Sequence, residues 1–288
     1  MQSNNKEISF FKIKTEVKRE IENLENYSYG EETKLISLSL NCDTKELLMK
    51  NSFTKQEIKR INKIVKKRKS GKPLNKIFKS CFFYYDNFYI NNFVLAPRKE
   101  TEILVEYVLN YIYKNDNQDF DILDMCCGSG IIGLELAKHS TKKTQVVLAD
   151  ISNKALKVTR KNQKRLNLQK NTIIKKTDMF KGLKSKTLFD IIVSNPPYIK
   201  TSEIEKLSHG VKTYDPIIAL DGKEDGLYFY KILASQSKIF LKSKGIVVCE
   251  IGFDQKKEVE NLFKQNGFVV KCLKDYDNND RVIIAKLK

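Results

Sequence analysis

The spacing of apolar positions changes character near residue 80. Before it, apolar side chains recur at helical intervals. The clearest case is SFTKQEIKRINKIVKKRKSGKP, where Ile58, Ile61 and Val65 fall on one face. Thr54 and Glu57 form a capping-box pattern at its start, and Gly71 followed by Pro73 marks its end. Residues 81–97, CFFYYDNFYINNFVLAP, alternate aromatic and polar positions, with turn signals at Asp86-Asn87 and Asn91-Asn92. That pattern predicts a β-hairpin linking two domains.

Beyond the hairpin, short β-branched runs alternate with helical stretches. The predicted strands are 121–125, 145–150, 172–176, 189–194, 245–251, 268–273 and 281–287. Such alternation specifies βαβ units on a parallel sheet. Only a short Asp/Asn-rich segment separates the last two strands. It cannot hold a crossover helix, so these two should pair antiparallel. The expected fold is therefore α/β: a seven-stranded, mostly parallel, Rossmann-like sheet with a small helical N-terminal domain. The expected boundaries are a helical domain over 1–80, a hairpin linker over 81–97 and the sheet domain over 98–288.

Composition narrows the function classes. The chain of 288 residues carries 53 basic and 35 acidic side chains, a formal charge of +18. Lysine is spread over nearly every segment, alongside abundant Asn, Ile and Tyr and no Trp, which fits a general compositional bias. The excess still leaves room for an acidic or RNA-containing partner. Its densest basic stretch runs from Lys59 to Lys79, either a solvated helix face or a surface for an anionic partner. No segment approaches the ~20 apolar residues that span a bilayer, so a cytoplasmic protein without a membrane partner is expected. The six cysteines include no CxxC pair and read as reduced thiols. With two histidines in all, neither a metal site nor a Ser-His-Asp arrangement is expected.

The candidate chemistry begins where the first predicted strand runs into DMCCGSGIIGLELA. Gly128 and Gly130 allow a tight turn and close approach to a ligand, and the following helix presents free N–H groups. About twenty residues later Asp150 ends the second strand, where a carboxylate can accept both hydroxyls of a ribose. Taken alone, Gly128 to Gly133 satisfies GxGxxG and also fits a dinucleotide. After the third strand, Asp178-Met179-Phe180 could accept from an exocyclic amine while apolar groups flank a purine. The fourth strand ends in SNPPYI. There Asn195 and the Pro196 carbonyl form two acceptors in a rigid turn, with no competing N–H at Pro196 or Pro197. Two fixed acceptors suit an NH2 group, and Tyr198 offers an aromatic face to the plane bearing it. Pulling density onto such a nitrogen while aligning it with an electrophilic methyl accelerates transfer by positioning and electrostatics.

These residues resemble the class I S-adenosylmethionine-dependent methyltransferases, whose amino-methylating members carry [ND]PP[YF]. The motif is shared with adenine-N6, cytosine-N4 and guanine-N2 enzymes that act on nucleic acid. The rest of the chain separates them. RKSGKPL, LAPRKETEILVE, SNPPYI, YDPIIALDGKEDGLYFY, EIGFDQ and KDYDNNDRV together resemble the peptide chain release factor N5-glutamine methyltransferases, from about residue 60 onward. PRKETE matches them better than the relatives that act on a ribosomal protein glutamine. The resemblance implies S-adenosylmethionine as cofactor and class I release factors as partners, methylated on the GGQ glutamine; a monomer that requires no nucleic acid is expected. It implies cofactor contacts at Cys126, Cys127, Gly128, Ser129, Gly130, Asp150, Met179 and Asn195, to which the residue-level reading adds Asp178. Substrate contacts would fall on Asn195, Pro196, Pro197 and Tyr198, with Asn195, Pro196 and Tyr198 catalytic. Four departures stand out: Cys126 and Lys223 where glycine is usual, Lys99 where proline is, and Asp215 where glutamate is commoner.

Overall fold

The computed structural model describes residues 9–184 and 187–287. Two compact units emerge, one built from residues up to Lys79 together with Ser208–Tyr214, the other from Ser80–Leu207 and Asp215–Lys288.

The smaller unit contains α1 (Phe10–Ile21), α2 (Glu31–Leu40), α3 (Thr44–Met49), α4 (Lys55–Lys69) and α5 (Leu74–Phe78). The Thr54–Glu57 capping box forms as its sequence indicates, Thr54 Oγ1 accepting from the Glu57 N–H while Glu57 accepts from the Thr54 N–H at 2.9 Å. Ile61 and Val65 of α4 join Ile13, Val17, Ile21, Leu35 and Ile36 in one apolar core. The basic stretch is only partly a solvated face. Arg68 is buried, its Nε 2.5 Å from Glu31 Oε1, and Lys69 pairs with Glu20. Lys76 is buried as well. The chain returns to this unit through the helical turn His209–Tyr214, where the His209 N–H donates to Glu25 at 3.0 Å. Local sequence pattern carries no sign of that return, because it rests on contacts between residues some 184 apart.

The larger unit opens with a hairpin of β1 (Ser80–Phe83) and β2 (Asp86–Tyr89). Its turn falls on Tyr84-Tyr85, two residues before the Asp86-Asn87 signal, and Tyr84 adopts φ +53°. Asp86 is committed elsewhere: its carboxylate pairs with Lys138 and His139, and that tertiary bond overrides its turn preference. Then follow α6 (Glu102–Lys114), β3 (Asp119–Met125), α7 (Ile131–His139), β4 (Lys143–Asp150), α8 (Asn153–Arg165), β5 (Thr172–Lys176), β6 (Phe189–Ser194), α9 (Tyr228–Phe240), β7 (Leu241–Glu250), α10 (Lys256–Gln265), β8 (Phe268–Lys274) and β9 (Asp280–Leu287). The strand order is β5-β4-β3-β6-β7-β9-β8, parallel except that β9 runs against β7 and β8.

Burial of both sheet faces explains why the strands read as continuous apolar runs. Ile122, Val146, Val193 and Val248 pack under α6, α7 and α8. Their neighbours Leu123, Ala149, Ile192 and Val247 pack under α9 and α10. β7 starts four residues before its predicted first residue, since Leu241 pairs with Phe189 across a register shift. Strand order reverses between β3 and β6, so their carboxyl ends form the crevice where α/β sheets bind ligands.

Candidate active site

A cavity of about 290 Å³ opens at that crevice. Its walls include Cys126, Cys127, Gly128, Ser129, Asp150, Asp178, Met179, Asn195 and Pro197, so nine residues singled out from sequence converge on one space. β3 and β6 bring the two halves together: Met125 pairs with Ser194, and Ser194 Oγ donates to the Met125 carbonyl at 2.8 Å. The glycine turn and the proline turn thus leave adjacent strands at the same level.

The glycine turn is held by carboxylates. Asp124, fully buried, accepts from the Gly133 N–H at 2.9 Å, and a Cβ on Gly133 would strike Leu148 at 2.4 Å. Burial pushes Asp124 up to about 7, and its Oδ1 has no partner among the described residues. Asp150 accepts from the Gly128 N–H at 2.9 Å and the Ser152 N–H at 2.7 Å, which fixes both its oxygens at the cavity edge. Burial raises its pKa, and the backbone N–H groups oppose that rise. Cys126 lies among Asp150, Asp124 and Asp178; burial first, then these three carboxylates, push its thiol far up. A chain of net charge +18 has therefore gathered acidic groups at this one turn. Such surroundings suit a ligand bearing a ribose and a positive charge, and they disfavour the pyrophosphate of a dinucleotide.

At the proline turn, Asn195 Nδ2 donates to Thr101 Oγ1 at 3.4 Å. Thr101 Oγ1 in turn donates to Glu250 Oε2 at 2.6 Å. Among the described residues nothing donates to Asn195 Oδ1 or to the Pro196 carbonyl; Asn195 lines the cavity, whereas Pro196 is buried behind it. Gly130, Pro196 and Tyr198 do not line the cavity. Gly130 is the left-handed N-cap of α7, packed where a Cβ would meet Thr159 at 2.6 Å. Tyr198 packs against the core beneath α9 and α10, and its carbonyl accepts from Gln255 at 3.0 Å. Burial pushes its hydroxyl up to about 12. Its ring is half-buried, part of it packed against that core.

Comparison with known proteins identifies the architecture. The Methyltransferase small domain family matches residues 99–210. A release factor glutamine methyltransferase from Clostridium acetobutylicum is 41% identical over 255 residues, covering 87% of this chain and 88% of that protein. One from Thermodesulfovibrio yellowstonii is 38% identical over 270 residues, covering 93% and 96%. The chain belongs to the release factor glutamine methyltransferase family. In fold alone the methyltransferase is also similar to the hMettl16 catalytic domain, solved in complex with MAT2A 3′UTR hairpin 6, at 15% identity and TM-score 0.53 over 69% of this chain and 74% of that one.

Two of the four departures noted from sequence share a physical setting. Cys126 and Lys223 replace glycine at φ +62° and +72°, where a Cβ is strained. Lys99 replaces proline at the first position of a 3₁₀ turn, Lys99–Thr101, where proline is favoured but not required. Asp215 accepts from the Ala96 N–H at 3.1 Å, tying the loop of Phe93 to Pro97 to the segment of Pro216 to Ala219; both line the cavity. Those two segments, Thr101 and Glu250 went unassigned by residue-level reading. Their signal lay in LAPRKETEILVE, YDPIIALDG and EIGFDQ, which point to a family without saying what each side chain does.

Proposed function

We propose that the protein transfers a methyl group from S-adenosylmethionine to the side-chain amide nitrogen of the GGQ glutamine in class I peptide chain release factors. The observation that carries this reading is Asn195, whose Oδ1 has no donor among the described residues and which lines an acidic, ribose-suited cavity, with the Pro196 carbonyl next to it in the same turn. Family membership supports it, since the named relatives are release factor glutamine methyltransferases.

The donor set fits the cofactor. Asp150 would hold the ribose hydroxyls, the Cys126–Ser129 turn and Asn195 would line its path, and Asp178 and Met179 would flank the purine. When bound there, S-adenosylmethionine supplies an electrophilic methyl on a sulfonium. The chain's own work is done at the amide. Asn195 and Pro196 would each accept one amide hydrogen, which draws electron density onto the nitrogen and holds it in place for the methyl. Transfer would exchange the cofactor's S–C bond for a new N–C bond, the displaced amide proton passing to solvent while Asn195 and Pro196 hold the nitrogen.

The exposed lysines of α4, Lys59, Lys63, Lys66 and Lys67, support a recognition role for the helical unit toward the protein substrate. Transfer of labelled methyl to an intact release factor, compared with one whose GGQ glutamine is replaced by alanine, tests the reading. Label in the first and none in the second is expected. Equal labelling of both would refute it.

A further inference from the structure

An asparagine that must present its oxygen can fail by turning over, since its two amide edges have nearly the same shape. Whether Asn195 works therefore depends on what faces its inner edge. Two side chains do, Thr101 and Glu250, both buried. Thr101 Oγ1 is committed as donor to Glu250 Oε2 at 2.6 Å, so toward Asn195 it can only accept. The Glu250 carboxylate, close enough to Asn195 to be influenced by it, has no proton to give when ionised. An inner edge that meets acceptors alone must be the NH2. We propose that Glu250 is a positioning residue which, through the Thr101 hydroxyl, locks the Asn195 amide with Nδ2 inward and Oδ1 toward the cavity.

This inference rests on the proposed amide chemistry and adds to it the group that sets hydrogen-bond direction. Glu250 is the last residue of β7 and is absent from the cavity wall, so it acts only through its neighbours. Around it stand Arg281 from β9, Glu100 and Thr101 from the turn before α6, Asn195 and Tyr198 after β6, and Tyr230 of α9, whose hydroxyl donates to the Glu250 carbonyl at 2.9 Å. Arg281 is in turn gripped by Asp275 at 3.1 Å, so its charge is shared. Burial dominates over Thr101, Arg281 and Asn195 and lifts Glu250 to about 7. A protonated Glu250 could donate to Thr101, freeing the threonine hydroxyl to donate to Asn195 and turn the amide over.

The test uses Glu250→Gln, which keeps shape but adds a donor. Its kcat is expected to fall about 10- to 100-fold, the worth of a hydrogen bond to a charged group, with cofactor affinity and melting temperature little changed. The wild-type kcat should rise with pH through about 7, and the variant should lose that limb. Thr101→Val should reproduce the loss and Thr101→Ser restore activity. Independently of turnover, the ¹⁵N-resolved Nδ2 signals of Asn195, assigned through Asn195→Ala, should shift between wild type and Glu250→Gln. Unmoved Asn195 signals, or a Glu250→Gln enzyme with wild-type kcat and pH profile, would overturn the proposal. If the wild type leaves the release factor unmethylated, the proposed function falls, and the Asn195 signals still decide the orientation.

Discussion

Asp150→Asn is the sharpest probe of the glycine turn proposed to hold the cofactor, because it changes one atom in a group whose two oxygens have separate duties. Oδ2 holds Gly128 at 2.9 Å and Oδ1 holds Ser152 at 2.7 Å. An asparagine can accept from only one of them. Whichever edge carries NH2 then faces a backbone N–H, donor against donor. The loss of a hydrogen bond to a charged group is worth about 1.5–3 kcal/mol, which loosens S-adenosylhomocysteine about 10- to 150-fold. Isothermal titration of the purified chain measures it directly. Asp178→Asn serves as the contrast. That carboxylate is half-exposed and already paired with Lys181 at 2.5 Å, so its loss should weaken binding at most about fivefold. Affinity within about twofold of wild type for Asp150→Asn would refute the reasoning, as would a reversed order of the two variants.

Other outcomes follow from strain, charge burial and titration. Cys126→Gly relieves a left-handed residue at a cost of about 1–2 kcal/mol, offset by glycine's unfolded-state entropy of about 0.5–1 kcal/mol. Denaturant unfolding should show equal or slightly raised stability, and a loss above about 1 kcal/mol would contradict the strain account. Arg68→Met strands the buried Glu31 carboxylate and should cost about 3–5 kcal/mol in the same assay, whereas Glu31→Leu with Arg68→Met should recover most of it. Burial, then the Asp86 carboxylate, push Glu135 up to about 8. Between its ordinary value and that one the folded chain holds a proton the unfolded chain lacks, so stability attributable to Glu135 falls as pH rises through this window. Glu135→Gln should flatten the decline, and identical pH–stability curves would dismiss it.

How far these features were legible depended on the range of the forces involved. β5 and β6 match their predicted bounds because each is a short β-branched run between polar residues, β6 buried on both faces and β5 at the sheet edge with Ile173 exposed. The α4 cap was legible for the same local reason. The cofactor turn and the proline turn could be paired from sequence because α/β topology puts both at strand ends. The hairpin turn shifted because Asp86 found partners 52 and 53 residues away. Tyr198 was placed beside the substrate from its motif alone, and sequence carried no sign that part of its ring packs against the core. Nothing local distinguishes Thr101 or Glu250. A threonine and a glutamate separated by 149 positions become a pair only once β7 and the turn before α6 are folded together.

The central claim is the identity of the nitrogen that receives the methyl group. Tandem mass spectrometry of a class I release factor incubated with the protein and S-adenosylmethionine, with bulk RNA in the same reaction, locates it. The account predicts one added methyl, 14 mass units, on the GGQ glutamine side chain and none on RNA. A methyl on RNA bases with the glutamine unmodified would contradict it.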